Sequence, residues 1–278
     1  MLIYRYLSIH IYSLNNFSAM KKETLFVAFS TQKGGMGKTA LTVLAASYLH
    51  YVKKYHVGVI DCDFPQHSIF EMRKRDSELV MKDDYFKRMA YKQFSTQGIK
   101  AYPIKESTGE NALEEAQSLM DDSEKEFDVI FFDLPGTLNS GGVIKTLAAM
   151  DYVFTPVSAD RVVLESTLQY AIMLNDNIIT THRGHIKGLF LFWNMVDGRE
   201  KTSLYQAYEK AISELGLPIL KTLLPDSKRF RKEVSDERKT IFRSTLFPMD
   251  KALLKGSNME ELIDEICKTI NLQENANE

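Results

Sequence analysis

Cysteine is scarce in this chain: 278 residues carry two, Cys62 and Cys267, far apart in sequence and in no metal-ligand spacing. That leaves no disulfide framework and no Cys-based zinc site, and it suits reduced thiols in a cytosolic protein. There are only 7 prolines and no low-complexity tract, so neither a Pro-rich spacer nor a repeat array is encoded. Neither sign of charge dominates. A formal net charge of -2 excludes a globally basic nucleic-acid binder but leaves a local basic patch open. No window offers a convincing transmembrane helix. The first 20 residues, MLIYRYLSIHIYSLNNFSAM, come nearest, but Arg5, His10 and Asn15 interrupt them and no cleavage pattern follows. Residues 1–19 read as a dispensable or misassigned extension with Met20 as the functional start. A weak membrane-surface segment is the alternative.

What is present is the composition of a folded domain, 44% hydrophobic and 26% charged, in a chain long enough to bury a large core. Apolar runs of strand length alternate with segments of helical period. ETLFVAFS, HVGVIDCDFPQ, FDVIFFDLP, DYVFTPV and IKGLFLFWNMV read as strands; helices are expected from Lys38, through SIFEMRKRDSEL, over 108–121, and in four or more later segments. FDVIFFDLP is almost wholly apolar up to its acidic end, as a strand covered on both faces must be. The expectation is an α/β fold: an open, mostly parallel twisted sheet with helices on both faces, in three layers. Residues 20–270 are expected to form one domain and 271–278 a flexible tail. The stretch from about 73 to 97 is polar and poorly patterned. LPILKTLLP is expected to follow a helix that stops at Gly216.

The densest signal is FSTQKGGMGKTA, Phe29 to Ala40. A glycine-rich loop between a buried strand and a helix can aim several backbone N–H groups at one anion, with the positive end of the helix behind it. Gly34, Gly35, Met36 and Gly37 supply that loop. Lys38 is placed for the outer phosphates, Thr39 offers its hydroxyl to Mg²⁺, and Ala40 follows them. Two further strands end in acid: VIDCDFPQ in Asp61 and Asp63, VIFFDLPG in Asp133 before Pro135 and Gly136. Ligands of open α/β sheets sit where such strand ends converge. Asp133 is expected in the metal shell with Thr39, and Asp61 and Asp63 near the metal or the attacking water. A single aspartate of this kind would more simply cap a loop.

KGGMGKT at Lys33–Thr39, DCDFPQ at Asp61–Gln66 and FFDLPG at Phe131–Gly136, in this order, resemble the ParA/MinD/Soj family of deviant Walker A P-loop ATPases. The looser match of elements runs from about residue 22 to 270. The resemblance implies a P-loop NTPase fold, ATP and Mg²⁺ as cofactors, slow partner-stimulated hydrolysis to ADP and phosphate, and an ATP-dependent homodimer. It gives Lys33 a role that residue chemistry alone leaves open against a plain solvent-facing lysine: reaching the phosphates of the nucleotide held by the other subunit. FTPVSAD, Phe154–Asp160, resembles the strand end that completes the nucleotide and dimer regions. Asn194 in FWNMVD, and Pro225 and Asp226 in LLPDSKRFRKE, resemble positions around the base. Ala40 departs from relatives with a second threonine there.

The run Ser227–Arg243 carries Lys228, Arg229, Arg231, Lys232, Arg238, Lys239 and Arg243 against three acidic residues. It is either a solvated charged face or a patch for DNA backbone phosphates. The resemblance favours nonspecific DNA, a ParB-like or other adaptor protein, and a cytoplasmic, nucleoid-associated location. It thereby implies partition of plasmid or mobile-element DNA. Positioning of a non-DNA cargo, or an inactive nucleotide-binding scaffold, are the alternatives. The last helical stretch, EELIDEICKTI, has an apolar stripe through Leu262, Ile263, Ile266 and Ile270 but an acidic polar side, which argues against stable membrane association.

Overall fold

The structure, a computed structural model, describes residues 23–136, 141–199, 202–234 and 239–272. Six parallel strands form one sheet in the order β3-β2-β4-β1-β5-β6. They are β1 Leu25–Phe29, β2 Val57–Asp61, β3 Ile104–Glu106, β4 Val129–Asp133, β5 Tyr152–Val157 and β6 Gly188–Trp193. The helices are α1 Lys38–Ser47, α2 Ser68–Lys82, α3 Asp84–Ala90, α4 Ala112–Asp121, α5 Gly141–Ala148, α6 Arg161–Leu174, α7 Thr202–Glu214, α8 Lys251–Leu254 and α9 Met259–Thr269. The expected three-layer α/β architecture is what the chain adopts.

The layering follows from strand alternation. On β1 and β4, Val27, Phe29, Val129 and Phe131 enter one apolar cluster with α1 and α9. Their neighbours Ala28, Ile130 and Phe132 enter the other, with α4 and α6. Both faces being covered, the central strands can be apolar throughout, as their sequences are. The apolar stripe of α9 is spent here: Met259, Leu262, Ile263 and Ile266 are all buried in the first cluster. Among the described residues no helix is long and apolar enough to cross a membrane.

Two segments differ from expectation. The polar stretch 73–97 is largely helical, through α2, α3 and a wider turn over Tyr91–Thr96. Its apolar content is low because it buries little: Ile69, Met72 and Asp76 on α2, Phe86 and Ala90 on α3. The latter pack in a small satellite cluster with Ile241, Leu246 and Phe247. The three-residue edge strand β3 carried no readable pattern. LPILKTLLP runs beside β6 and makes only isolated bridges, Leu191 to Ile219 and Val196 to Pro225.

A candidate phosphate site at the strand ends

The chain reverses between β1 and α1 through Gly35 and Gly37, at φ 78° and 77°. Side-chain-bearing residues rarely take that left-handed conformation, and glycine takes it freely. Gly37 then caps α1, whose first-turn N–H groups have no partner within the helix and face the loop. Asn194, at the end of β6, holds the loop from behind: its Nδ2 donates to the Met36 carbonyl at 2.9 Å, and its Oδ1 accepts from Met195 N at 2.9 Å. The side chain read as a base contact thus buttresses the loop. Met36 itself is buried, so only its backbone is offered to a ligand.

The loop opens onto a cavity of about 600 Å³, within the range that holds a nucleotide. Gly34, Gly35, Gly37, Lys38, Thr39 and Ala40 line it from the loop side; Asp63, Gln66, Gly136, Asn194, Pro225 and Asp226 line it opposite. A larger open groove of about 910 Å³, flanked by Thr24, Phe127 and Asp151, lies at the other end of the strands. Ligands of open α/β sheets bind at carboxyl ends, so the smaller cavity is the candidate.

Lys38 comes so close to the β4 loop that a Cβ on Gly136 would lie 2.9 Å from its Nζ. Burial pushes the Lys38 ammonium below its ordinary pKa, against the pull of Asp133 and Asp63. Asp133 and Asp61 are register partners on β4 and β2, yet their carboxylates do different things. Asp61 is fully buried and caps α2: its Oδ2 accepts from Ile69 N at 2.9 Å and Phe70 N at 3.0 Å. Burial raises its pKa while those N–H groups oppose the rise. Neither Asp61 nor Asp133 lines the cavity, whereas Asp63, two residues on from Asp61, does.

Asp133 is the contrasting case. Both its oxygens are buried and neither makes a well-formed hydrogen bond. Burial pushes it up to about 7, with the nearby Thr39 hydroxyl and Lys38 opposing, and Asp61 and Asp63 adding to the rise. A buried carboxylate without donors is costly unless a cation meets it. Thr39 and Asp133 are hard oxygen donors suited to Mg²⁺. Among the described residues there is no cluster of three His, Cys, Asp or Glu that could hold a metal. Mg²⁺ needs none, since it typically takes one or two carboxylates and fills its sphere with phosphates and water.

Lys33 does not line the cavity of its own subunit and makes no ion pair with any described residue. The basic run divides. Lys228, Arg231 and Lys232 are exposed or half-exposed. Arg229 is spent internally, donating from Nη1 to the carbonyls of Leu253 and Lys255 at 2.8 and 2.7 Å. Lys239 pairs with Asp83, and Arg243 with Glu233. Arg238 lies outside the described residues. Arg231 and Arg243 also line the cavity with Met195, Ser227 and Phe230, none of which a local pattern marked as a ligand contact. Among the described residues of the run, Arg229 is thus turned inward, while Lys228, Arg231, Lys232 and Lys239 stay exposed or half-exposed.

Comparison with solved structures finds the same fold at low identity. A candidate plasmid partition protein of Borrelia burgdorferi B31, bound to AMPPNP, matches with TM-score 0.59 and 15% identity over 89% of this chain and 100% of its own. A variant of Cyanothece McdA in complex with ATP gives 0.57 and 13%, covering 92% and 100%. The cell division ATPase MinD of Pyrococcus furiosus gives 0.54 and 19%, covering 88% and 99%. No curated protein matches the chain in sequence. The profile of the CobQ/CobB/MinD/ParA nucleotide binding domain matches residues 27–241. With the deviant Walker A loop at Lys33–Thr39, the chain belongs to this CobQ/CobB/MinD/ParA family of P-loop proteins.

Proposed function

We propose that the protein is a Mg²⁺-dependent ATPase that works as an ATP-driven dimer switch, and that it serves the partition of plasmid or mobile-element DNA. The observation that carries the ATPase reading is Asp133, its two buried oxygens without a well-formed hydrogen bond and only the Thr39 hydroxyl and Lys38 beside them to oppose the rise in its pKa. The loop N–H groups and the positive end of α1 bind the phosphates. Lys38 neutralises charge on the outer phosphates, and Thr39 and Asp133 hold Mg²⁺, which when bound offsets the charge that builds on the transferring phosphoryl group. Asp63 lines the same cavity and lies close enough to Lys38 to bias its charge, so it is the group that orients water for in-line attack. Lys33, absent from its own cavity, is available to the nucleotide of a second copy.

Two substitutions separate these roles. Lys38→Ala should weaken ATP binding at least about 100-fold, the scale expected of a lost charge-assisted phosphate contact. Lys33→Ala should leave monomer affinity within a few-fold while abolishing the ATP-dependent dimer in sedimentation velocity and slowing hydrolysis. Equal loss of affinity in both variants, with no defect confined to the dimer, contradicts the assignment.

A second reading, a cargo other than DNA, is favoured by the internal use of Arg229 and Arg243. Sedimentation of the protein with ADP or a nonhydrolysable ATP analogue, with and without DNA over a salt series, decides between them. ATP-dependent, salt-sensitive DNA binding supports partition; dimerisation without it supports the other cargo.

A further inference from the structure

Ser30 is the last residue the sheet holds before the phosphate loop. Its N donates to the Phe154 carbonyl of β5 at 2.9 Å, one step past the end of β1. The alternation that turns Ala28 into the cluster of α4 and α6 turns Ser30 the same way. There its Oγ lies 2.6 Å from the Tyr170 hydroxyl of α6, a hydrogen bond in which either group can donate. Ser30 is 3% exposed and Tyr170 1%, and among the described residues neither hydroxyl has another partner. Burial pushes the Tyr170 phenol above its ordinary pKa, with the Ser30 bond opposing, so it stays a protonated hydroxyl.

An alanine facing a phenylalanine would fill the same space with no desolvated oxygen, at little net cost in stability. What the hydroxyl pair adds is direction, since a hydrogen bond fixes a distance and an angle where apolar contact does not. Direction matters here because the loop is not held by packing: a Cβ on Gly34 or Gly35 would meet nothing within 4 Å. The loop is held at its ends instead, by Asn194 on the Met36 carbonyl near α1 and by Ser30 at β1. We propose that Tyr170 is a positioning residue of the phosphate site. Through Ser30 it fixes where the loop leaves the sheet, and so the aim of the loop N–H groups, without touching the nucleotide. This rests on the nucleotide-site reading above.

The test is calorimetric titration of the full chain with ATP, ADP and inorganic tripolyphosphate in the presence of Mg²⁺, beside thermal melts of the same samples and steady-state hydrolysis. Tyr170→Phe should weaken binding of all three ligands about 3- to 10-fold, because the loop grips the phosphates they share. KM for ATP should rise by the same factor while kcat stays within about two-fold. Ser30→Ala combined with Tyr170→Phe removes both oxygens, so its melting temperature should return toward that of wild type while its affinities stay low. A bond that serves stability alone gives a different result: affinity that is unchanged in Tyr170→Phe, or that recovers in the double variant together with the melting temperature. Either outcome overturns the proposal, as does a fall in kcat with KM unchanged. In each of these cases wild type still binds ATP; a wild type that binds neither ATP nor tripolyphosphate overturns the nucleotide-site reading itself, and this proposal with it.

Discussion

Asp133 concentrates the chemistry of this fold in one side chain. Its carboxyl is pushed up to about 7, above an ordinary value of 3.8, first by burial. A carboxyl raised in the folded state contributes stability below its unfolded pKa, and that stability is lost as pH rises through the folded value. Without Mg²⁺ or nucleotide, the wild type should therefore lose stability between about pH 4 and pH 7 on account of this group. Asp133→Asn removes the charge while keeping the shape. The variant should equal wild type near pH 4 and exceed it by roughly 2–4 kcal/mol at pH 8, while losing hydrolysis. Thermal melts across that pH range in EDTA check it; parallel melting curves at both ends would show that burial does not penalise the charge. Asn194 shows the converse economy, a buried amide that donates to the Met36 carbonyl and accepts from Met195 N while it also lines the cavity.

At the scale of elements, α2 is suspended between the site and the C-terminal segment. Asp61 caps its start through Ile69 and Phe70 N–H. Further along, buried Asp76 accepts from Ser244 Oγ at 2.9 Å and Thr245 N at 2.8 Å, and Arg73 donates to the Thr245 and Tyr102 carbonyls. Asp61→Ala removes a cap from a fully buried position and leaves two N–H groups without acceptors. It should cost roughly 2–3 kcal/mol in urea unfolding and lower ATP affinity through the displaced Asp63 loop. A stable variant with normal affinity would show that α2 is held from its other end alone. The same residue marks what the sequence could convey. The central strands, the loop and the three acidic strand ends were legible because each is a local pattern: an apolar run, a glycine turn, an acid closing a run. Which way a carboxylate turns is not local. Asp61 and Asp133 end equivalent strands, but only the helix that follows β2 brings N–H groups to one of them. Beyond the expected SIFEMRKRDSEL helix, α3 and the turn over Tyr91–Thr96 stayed hidden for a related reason: buried Gln93 stands where an amphipathic stripe would carry an apolar residue, and its partner, the Leu246 carbonyl, lies 153 residues away. The cavity-facing Phe230 and Arg243 come from two segments joined only in three dimensions.

At the scale of the whole molecule, the question is how a chain of net charge -2 could hold DNA at all. Of the seven cations in Ser227–Arg243, Arg229 and Arg243 already serve internal partners, and Lys239 pairs with Asp83 at the surface. Lys228, Arg231 and Lys232 remain near the surface, and Arg231 also lines the nucleotide cavity. The α3 face adds exposed Lys87, Arg88 and Lys92 around Tyr91, which is 69% exposed. Each phosphate neutralised changes the salt slope of binding by about 0.9, so a few contacts per subunit give weak binding that doubles in reach when two subunits join. The proposed switch would follow from that arithmetic: a monomer too weakly charged to stay bound, and an ATP dimer with twice the contacts. If the surface cations next to the nucleotide cavity are the contacts, Lys228→Ala with Lys232→Ala should lower the slope of log affinity against log salt by roughly 2 per subunit, leaving ATP-dependent dimerisation intact. If the slope falls instead on removing Lys87, Arg88 and Lys92, DNA lies against α3, away from the nucleotide. If neither set changes it, retention does not depend on these cations, and the cargo is better sought among proteins.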